Sequence, residues 1–270
     1  MSKKEENKVK DMFASMVIII CFMVAVAIFK FVMGAPSNFQ DGNPQNEPVT
    51  EGFRSYLGTI YKGGFVVPIL LTMLLMVFVF SVERFLTINK AAGKVPAHTF
   101  LNRIRGLLAS GNLAAVEQEC DKQQGSLGNV VKSAIVKYKE VELETNMDKD
   151  QKLVAIQKQI EEATELEMPM LQKNLIILST LSTIGTLFAL LGTVLGMIKA
   201  FKALSTAGAP DSSALATGIS EALINTALGI FTSALAVISY NYFTTKIDGL
   251  TYSIDEAGFS IVNTYAQSHK

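Results

Sequence analysis

The sequence predicts an all-α, polytopic membrane protein, and its composition and pattern give the first grounds. Apolar residues make up 49% of the 270-residue chain and charged residues only 18%, below the roughly 25% usual in soluble domains. Charge is nearly absent from four long stretches, each near the roughly 20 residues a helix needs to cross the hydrocarbon core. The longest polar region between them shows helical periodicity with glycine punctuation.

The first predicted span is Met12–Gly34, interrupted by Lys30 near one end, where a lysine can snorkel to the interface. Its basic start, with Lys3, Lys4, Lys8 and Lys10, also suits a signal peptide, but the apolar run is long for one. A retained helix is expected. The second span runs from Phe65 to about Ile88 and closes with Glu83 and Arg84. The third, Asn174–Ile198, carries no charge. The fourth runs from about Thr217 to Thr245 and holds one carboxylate, Glu221.

Lys and Arg set the expected direction. Residues 1–10 hold four lysines and residues 83–173 hold thirteen Lys/Arg, so both are expected in the cytoplasm. Residues 36–64 hold only Arg54 and Lys62, and 203–216 none, so both are expected outside. The chain then divides into an N-terminal helix (1–35), an outer loop (36–64), the second helix (65–90), a cytoplasmic helical region (91–173), a two-helix core (174–245) and a cytoplasmic tail (246–270). Within 91–173 the expected helices are Ala97–Ala109, Leu113–Gln123, Leu127–Val141 and Lys149–Leu171, the last able to continue into the third span.

Several function classes lack support. Basic and acidic residues balance at 24 each, which gives no reason to expect nucleic-acid binding. Cys21 and Cys120 sit in unlike contexts and suggest neither a disulfide framework nor zinc. His98 and His269 lie in polar surroundings and are not expected to be ligands or bases. No Ser/His/Asp set, metal cluster or phosphate loop stands out, so no cofactor and no enzyme activity are expected.

Chemistry concentrates on spans three and four. Ser179, Ser182, Thr186, Ala189, Thr193, Gly196 and Ala200 recur at three- and four-residue steps, as do Gly218, Ala222, Asn225, Gly229, Thr232, Ala236 and Ser239. Such stripes serve either close helix packing or the lining of a polar passage. Gly192, Gly196, Thr186 and Gly229 are expected on that packing or pore face. A carboxylate inside a membrane helix marks a functional site, unless Glu221 merely sits in a first turn beside water. Asn225, one turn further in, favours function. Hydroxyls such as those of Thr193 and Thr226 pass hydrogen bonds but hold no proton near neutral pH. The candidate ion path is Glu221 and Asn225 with hydroxyls such as those of Thr193 and Thr226, and a route to the cytoplasm would need water chains, a second carboxylate expected from another polypeptide, or both.

Two motifs carry a resemblance. Leu190-Leu191-Gly192-Thr193-Val194-Leu195-Gly196-Met197-Ile198 is similar to the LLGTVxGM signature of the ExbB/TolQ/MotA proton-channel family. Ile219-Ser220-Glu221-Ala222-Leu223-Ile224-Asn225-Thr226-Ala227-Leu228-Gly229, followed by Tyr240-Asn241, resembles that family's GIxEALxxTAxG segment. Similarity runs over about residues 60–250, and the ExbB branch looks nearest. The resemblance implies an inner-membrane homo-oligomer, a pentamer in ExbB, around an ExbD-like membrane partner that brings an aspartate. It implies that proton flow drives a TonB-like protein serving outer-membrane transport, and that Thr193, Glu221 and Thr226 are the polar channel residues. A TolQ-like subunit, a motility stator or a non-conducting scaffold are the other readings. The chain departs from the family at Gly185-Thr186, Ala189 and Leu235, where Ala-Pro, Gly and Pro are common, and in its additional N-terminal helix.

Overall fold

A computed structural model describes the backbone of residues 3–205 and 212–268, with side chains from Ser15 onward. His269 and part of the expected 203–216 connection lie outside the described residues. The described chain is helical throughout, apart from turns and one isolated bridge between Phe39 and Pro48. The helices are α1 (Lys3–Ala27), α2 (Phe53–Tyr61), α3 (Val66–Ala92), α4 (Ala97–Ala109), α5 (Leu113–Gln123), α6 (Gly125–Leu143), α7 (Lys149–Gln172), α8 (Leu175–Ser205) and α9 (Ser212–Ser268). Four of them, namely the first with its continuation, α3, α8 and α9, are long and apolar enough to cross a membrane. The chain forms two compact units, Met1–Val82 with Ile176–Tyr240, and Glu83–Leu175 with Asn241–Lys270.

The first unit is the membrane unit. On α1, Val17, Cys21 and Ala25 are buried at steps of four, while Ile18, Ile19, Ile20, Phe22 and Met23 are exposed and apolar. One narrow stripe thus packs on protein, and the rest is compatible with lipid. The helix then widens into a π-helical turn over Ile28–Met33, where Gly34 N–H donates to the Phe29 carbonyl at 2.9 Å. The buried Asn38 caps this end: its Nδ2 donates to the carbonyls of Val32 (2.7 Å) and Met33 (2.9 Å). The stretch expected as a plain outer loop contains α2, which packs Leu57, Ile60 and Tyr61 on a core of Ala25, Met33, Val67 and Leu71. Tyr61 stacks on Phe29 with ring centroids 4.6 Å apart. A nine-residue helix with one turn of apolar spacing is hidden among Pro, Asn, Gln and Gly, and only its packing partners make it stable. Ile224 and Leu228 of α9 close the same core, so the additional N-terminal helix is built into the unit.

The second unit is a helical bundle, and three of its expected helices begin as the sequence indicates. Asn112 Oδ1 caps α5 by accepting the Ala115 N–H, and Asp148 and Gln151 form a reciprocal capping box on α7. Helix α6 starts earlier than expected, at Gly125, because Gln124 (φ 58°) and Gly125 (φ 71°) take left-handed conformations that turn the chain in two residues.

Two expectations are corrected here. Helix α7 does not continue into the third span: Lys173 leaves the helical region and Asn174 adopts φ 63° before α8 begins. The reason is Arg84, whose buried guanidinium donates to the carbonyls of Met170 and Leu171 at 3.2 Å each. A cation on the last carbonyls caps the helix and favours its dipole. Glu83 accepts from both Arg84 and Asn174, which locks the corner. Residues 246–270, expected as a tail, are helical through Ser268 as the end of α9. Ile247, Leu250, Ile254, Ala257, Ile261 and Tyr265 are buried at three- and four-residue steps. Tyr265 meets the Tyr138 ring edge-on at 4.7 Å, and Glu256 accepts from Arg105 at 2.7 Å.

Candidate functional site

Within the membrane unit, α8 and α9 pack as an antiparallel pair along a seam of small residues. A Cβ built on Gly185 would lie 2.6 Å from Ser233 Oγ, one on Gly192 2.6 Å from Asn225 Cβ, and one on Gly196 2.8 Å from Ala222 Cβ. A Cβ on Gly218 would lie 2.8 Å from Ala200 Cβ. Numbering rises on one helix as it falls on the other. On α9 the six expected positions from Gly218 to Ala236 are buried, together with Glu221 and Ser233, and Ser239 is half-buried. On α8 the expected stripe is offset: Gly185, Ala189, Gly192, Gly196 and Ala200 are buried, whereas Thr186 is exposed and Thr193 half-buried. One residue turns a helix by about 100°, so the hydroxyls lie at the edge of the seam and the glycines at its centre.

At that edge the hydroxyls meet across the pair. Thr186 Oγ1 donates to Ser233 Oγ at 3.0 Å. Thr193 and Thr226 hydrogen-bond to each other, and each hydroxyl also lies 3.0 Å from the carbonyl four residues back, Ala189 and Ala222. Three bonds compete for two hydroxyl hydrogens. One hydroxyl therefore always has lone-pair capacity to spare, and the pair can reorient without leaving the seam.

Glu221 is not in a first turn beside water. Helix α9 begins nine residues earlier, at Ser212, and Glu221 is only 5% exposed. Its Oε2 accepts from Lys199 Nζ of α8 at 2.6 Å. On the other side it presses on Gly64, where any side chain would overlap the carboxylate. Gly64 has φ 77°, so this residue serves both the turn and the fit. Asn225 is 1% exposed, and its Nδ2 donates to the Gly63 carbonyl at 2.9 Å. Its Oδ1 is buried with no hydrogen-bond partner among the described residues. A buried acceptor left so costs about 1–3 kcal/mol.

All eight singled-out residues therefore lie on or beside one helix pair. Reading the sequence missed Lys199 and the Gly63-Gly64 turn. Lys199 follows directly on the span as drawn, and pairing residue 196 with 222 in an antiparallel hairpin would have placed it near Glu221. The glycine pair was visible but had no partner in the linear order.

Together these features define a class: a polytopic helical membrane protein with an enclosed carboxylate paired to a lysine, a buried amide and facing hydroxyls on one antiparallel pair of long apolar helices. Residues 126–256 match the MotA/TolQ/ExbB proton channel family, and the chain carries a domain of that family. It is 34% identical over 86 residues to "Putative biopolymer transport protein ExbB-like 3" of Synechocystis, covering 31% of this chain and 41% of that protein. It is 28% identical over 121 residues to "Tol-Pal system protein TolQ" of Pseudomonas aeruginosa, covering 45% and 52%. A longer alignment, 23% identical over 207 residues, joins it to "Putative biopolymer transport protein ExbB homolog" of Methanothermobacter thermautotrophicus, covering 75% and 67%. The chain thus spans about half or less of the first two relatives.

Proposed function

We propose that this chain is a proton-conducting subunit of a machine in the bacterial inner membrane, driven by the proton gradient. The observation that carries the reading is the Thr193–Thr226 hydroxyl pair beside the enclosed Glu221, on the two spans within the family domain. A carboxylate kept inside a membrane unit costs a few kcal/mol by insertion scales, and function is the usual reason it is retained. Hydroxyls relay protons but do not store them at neutral pH. A second acidic group is needed, and an ExbD-like membrane partner held in a homo-oligomer, a pentamer by resemblance, would supply it. Force would pass to a TonB-like protein that energises outer-membrane transport. The lysine-rich segments favour both termini in the cytoplasm. A TolQ-type role has a specific point in its favour, since the TolQ relative aligns over 121 residues.

The test is the double substitution Thr193→Val and Thr226→Val, which keeps shape and removes the hydroxyls. Proton flux is measured in vesicles holding the chain with its membrane partner, and native mass is the assembly control. Flux is expected to fall roughly tenfold or more, about 1.4 kcal/mol of barrier. A scaffold would hardly notice, since an interhelical hydrogen bond averages about 0.6 kcal/mol. Normal flux through an intact assembly refutes conduction along this pair. The Thr→Ser double variant, which restores the hydroxyls, must recover flux.

A further inference from the structure

We propose that Lys199 is a positioning residue of the proton path. Its ammonium holds the Glu221 carboxylate against the Gly63–Gly64 turn, and Glu221 joins conduction only when this ion pair opens. The inference rests on the conduction reading given above.

The pair is unequal. The Glu221 side chain is 7% exposed and that of Lys199 is 64% exposed. The carboxylate is walled in while the ammonium, on a flexible four-carbon stem, lies at the open side. The wall behind the carboxylate is backbone: Gly64 leaves room only because it lacks a side chain. Asn225, one turn along α9, ties the neighbouring Gly63 carbonyl at 2.9 Å, so the helix that carries Glu221 also fixes that wall. The movable member is therefore Lys199. It lines a cleft of about 440 Å³ with Lys202, Ala203, Ala214, Thr217 and Gly218. Lys62, next to the glycine turn, directs its ammonium elsewhere, to the Gln45 carbonyl at 2.9 Å. Between Ser212 and Lys246, α9 carries no other Asp, Glu, Lys or Arg. Among the described residues the charge nearest the Glu221 carboxylate is the Lys199 ammonium, and like charge repels an approaching proton.

The experiment uses the full chain with its membrane partner in vesicles and reads passive proton leak, native mass and the infrared carboxylate band assigned by Glu221→Gln. Lys199→Gln is expected to raise leak roughly fivefold or more, the population shift on losing a half-exposed ion pair. It should also shift the Glu221 band. Lys199→Arg keeps the charge and is expected to restore both. Adding Glu221→Gln to Lys199→Gln should return leak to the native level. Unchanged leak and an unchanged band in an intact Lys199→Gln assembly overturn the proposal. If Lys199→Gln fails to assemble, the exchange Lys199→Glu with Glu221→Lys decides: recovered assembly and native leak support the pair, and no recovery overturns it. The band is read without flux, so a native complex that passes no protons would refute conduction while the Lys199–Glu221 contact is still measured.

Discussion

Helix α9 offers one substitution at two sites with opposite expected outcomes. Gly→Ala inside a helix ordinarily gains about 0.8–1 kcal/mol from propensity. At Gly249 a new Cβ meets nothing within 4 Å, so that gain is expected in full. At Gly218 the new Cβ would lie 2.7 Å from Ala200 N, 2.8 Å from its Cβ and 2.9 Å from its Cα. Two of these are backbone atoms, which cannot rotate aside. The helices must separate by more than half an ångström to reach van der Waals distance, and overpacking of this kind costs about 1–3 kcal/mol. Gly218→Ala should therefore be neutral to about 2 kcal/mol destabilising, and Gly249→Ala stabilising. The assay is reversible unfolding of the purified chain in mixed micelles, with α8–α9 separation read from paired spin labels on exposed seam-flanking positions. Equal stabilisation by both substitutions would refute the close-packed seam, and with it the antiparallel register that sets Lys199 beside Glu221.

The other predictions concern the second unit. Arg84→Ala leaves Glu83 without its cation and frees the Met170 and Leu171 carbonyls, so it should cost about 3–5 kcal/mol. Denaturant unfolding checks this, and Glu83→Gln with Arg84→Met, which removes both charges, should recover most of the loss. A cost of Arg84→Ala below about 1 kcal/mol would show that the corner is not held by this side chain. Burial, with the Asp121 charge adding, pushes the Cys120 thiol up to about 12. In a Cys21→Ser background, maleimide at pH 8 should label Cys120 only after denaturation. Because the folded value lies above the unfolded one, the native state keeps a proton that the unfolded chain gives up. The resulting stability is complete below the ordinary thiol value and is lost as pH rises toward 12. Cys120→Ala should flatten that alkaline decline, measured as unfolding midpoint against pH.

Much of the architecture could be read locally because its causes are local. A run such as Asn174–Ile198 is apolar enough to span by residue-level transfer energies, whatever it touches. Asp148 with Gln151, and Asn112 before Leu113, announce helix starts through hydrogen bonds that close within three residues. The buried face of α9 in the membrane unit followed from the spacing of Gly218, Ala222, Asn225 and Gly229. Helix α2 and the helical end of α9 could not be read so easily, since their stability comes from partners distant in sequence. Leu57 needs Ala25 and Val67, and Tyr265 needs Tyr138.

By itself, then, the sequence determined that four helices can cross a bilayer, which segments carry the charge, and which residues on two of those spans are polar. Tertiary structure alone decided which side of α8 faces its neighbour. Thr186 and Thr193 fall at the rim and Gly185 and Gly192 at the centre, because close approach of two backbones rewards the smallest side chains. It also decided the state of Glu221. Whether a carboxylate in a membrane helix is bare, hydrated or paired depends on which cation an adjacent helix brings within reach. Lys199 comes from 22 residues away in sequence to 2.6 Å in space, a distance that only the antiparallel packing of α8 on α9 produces.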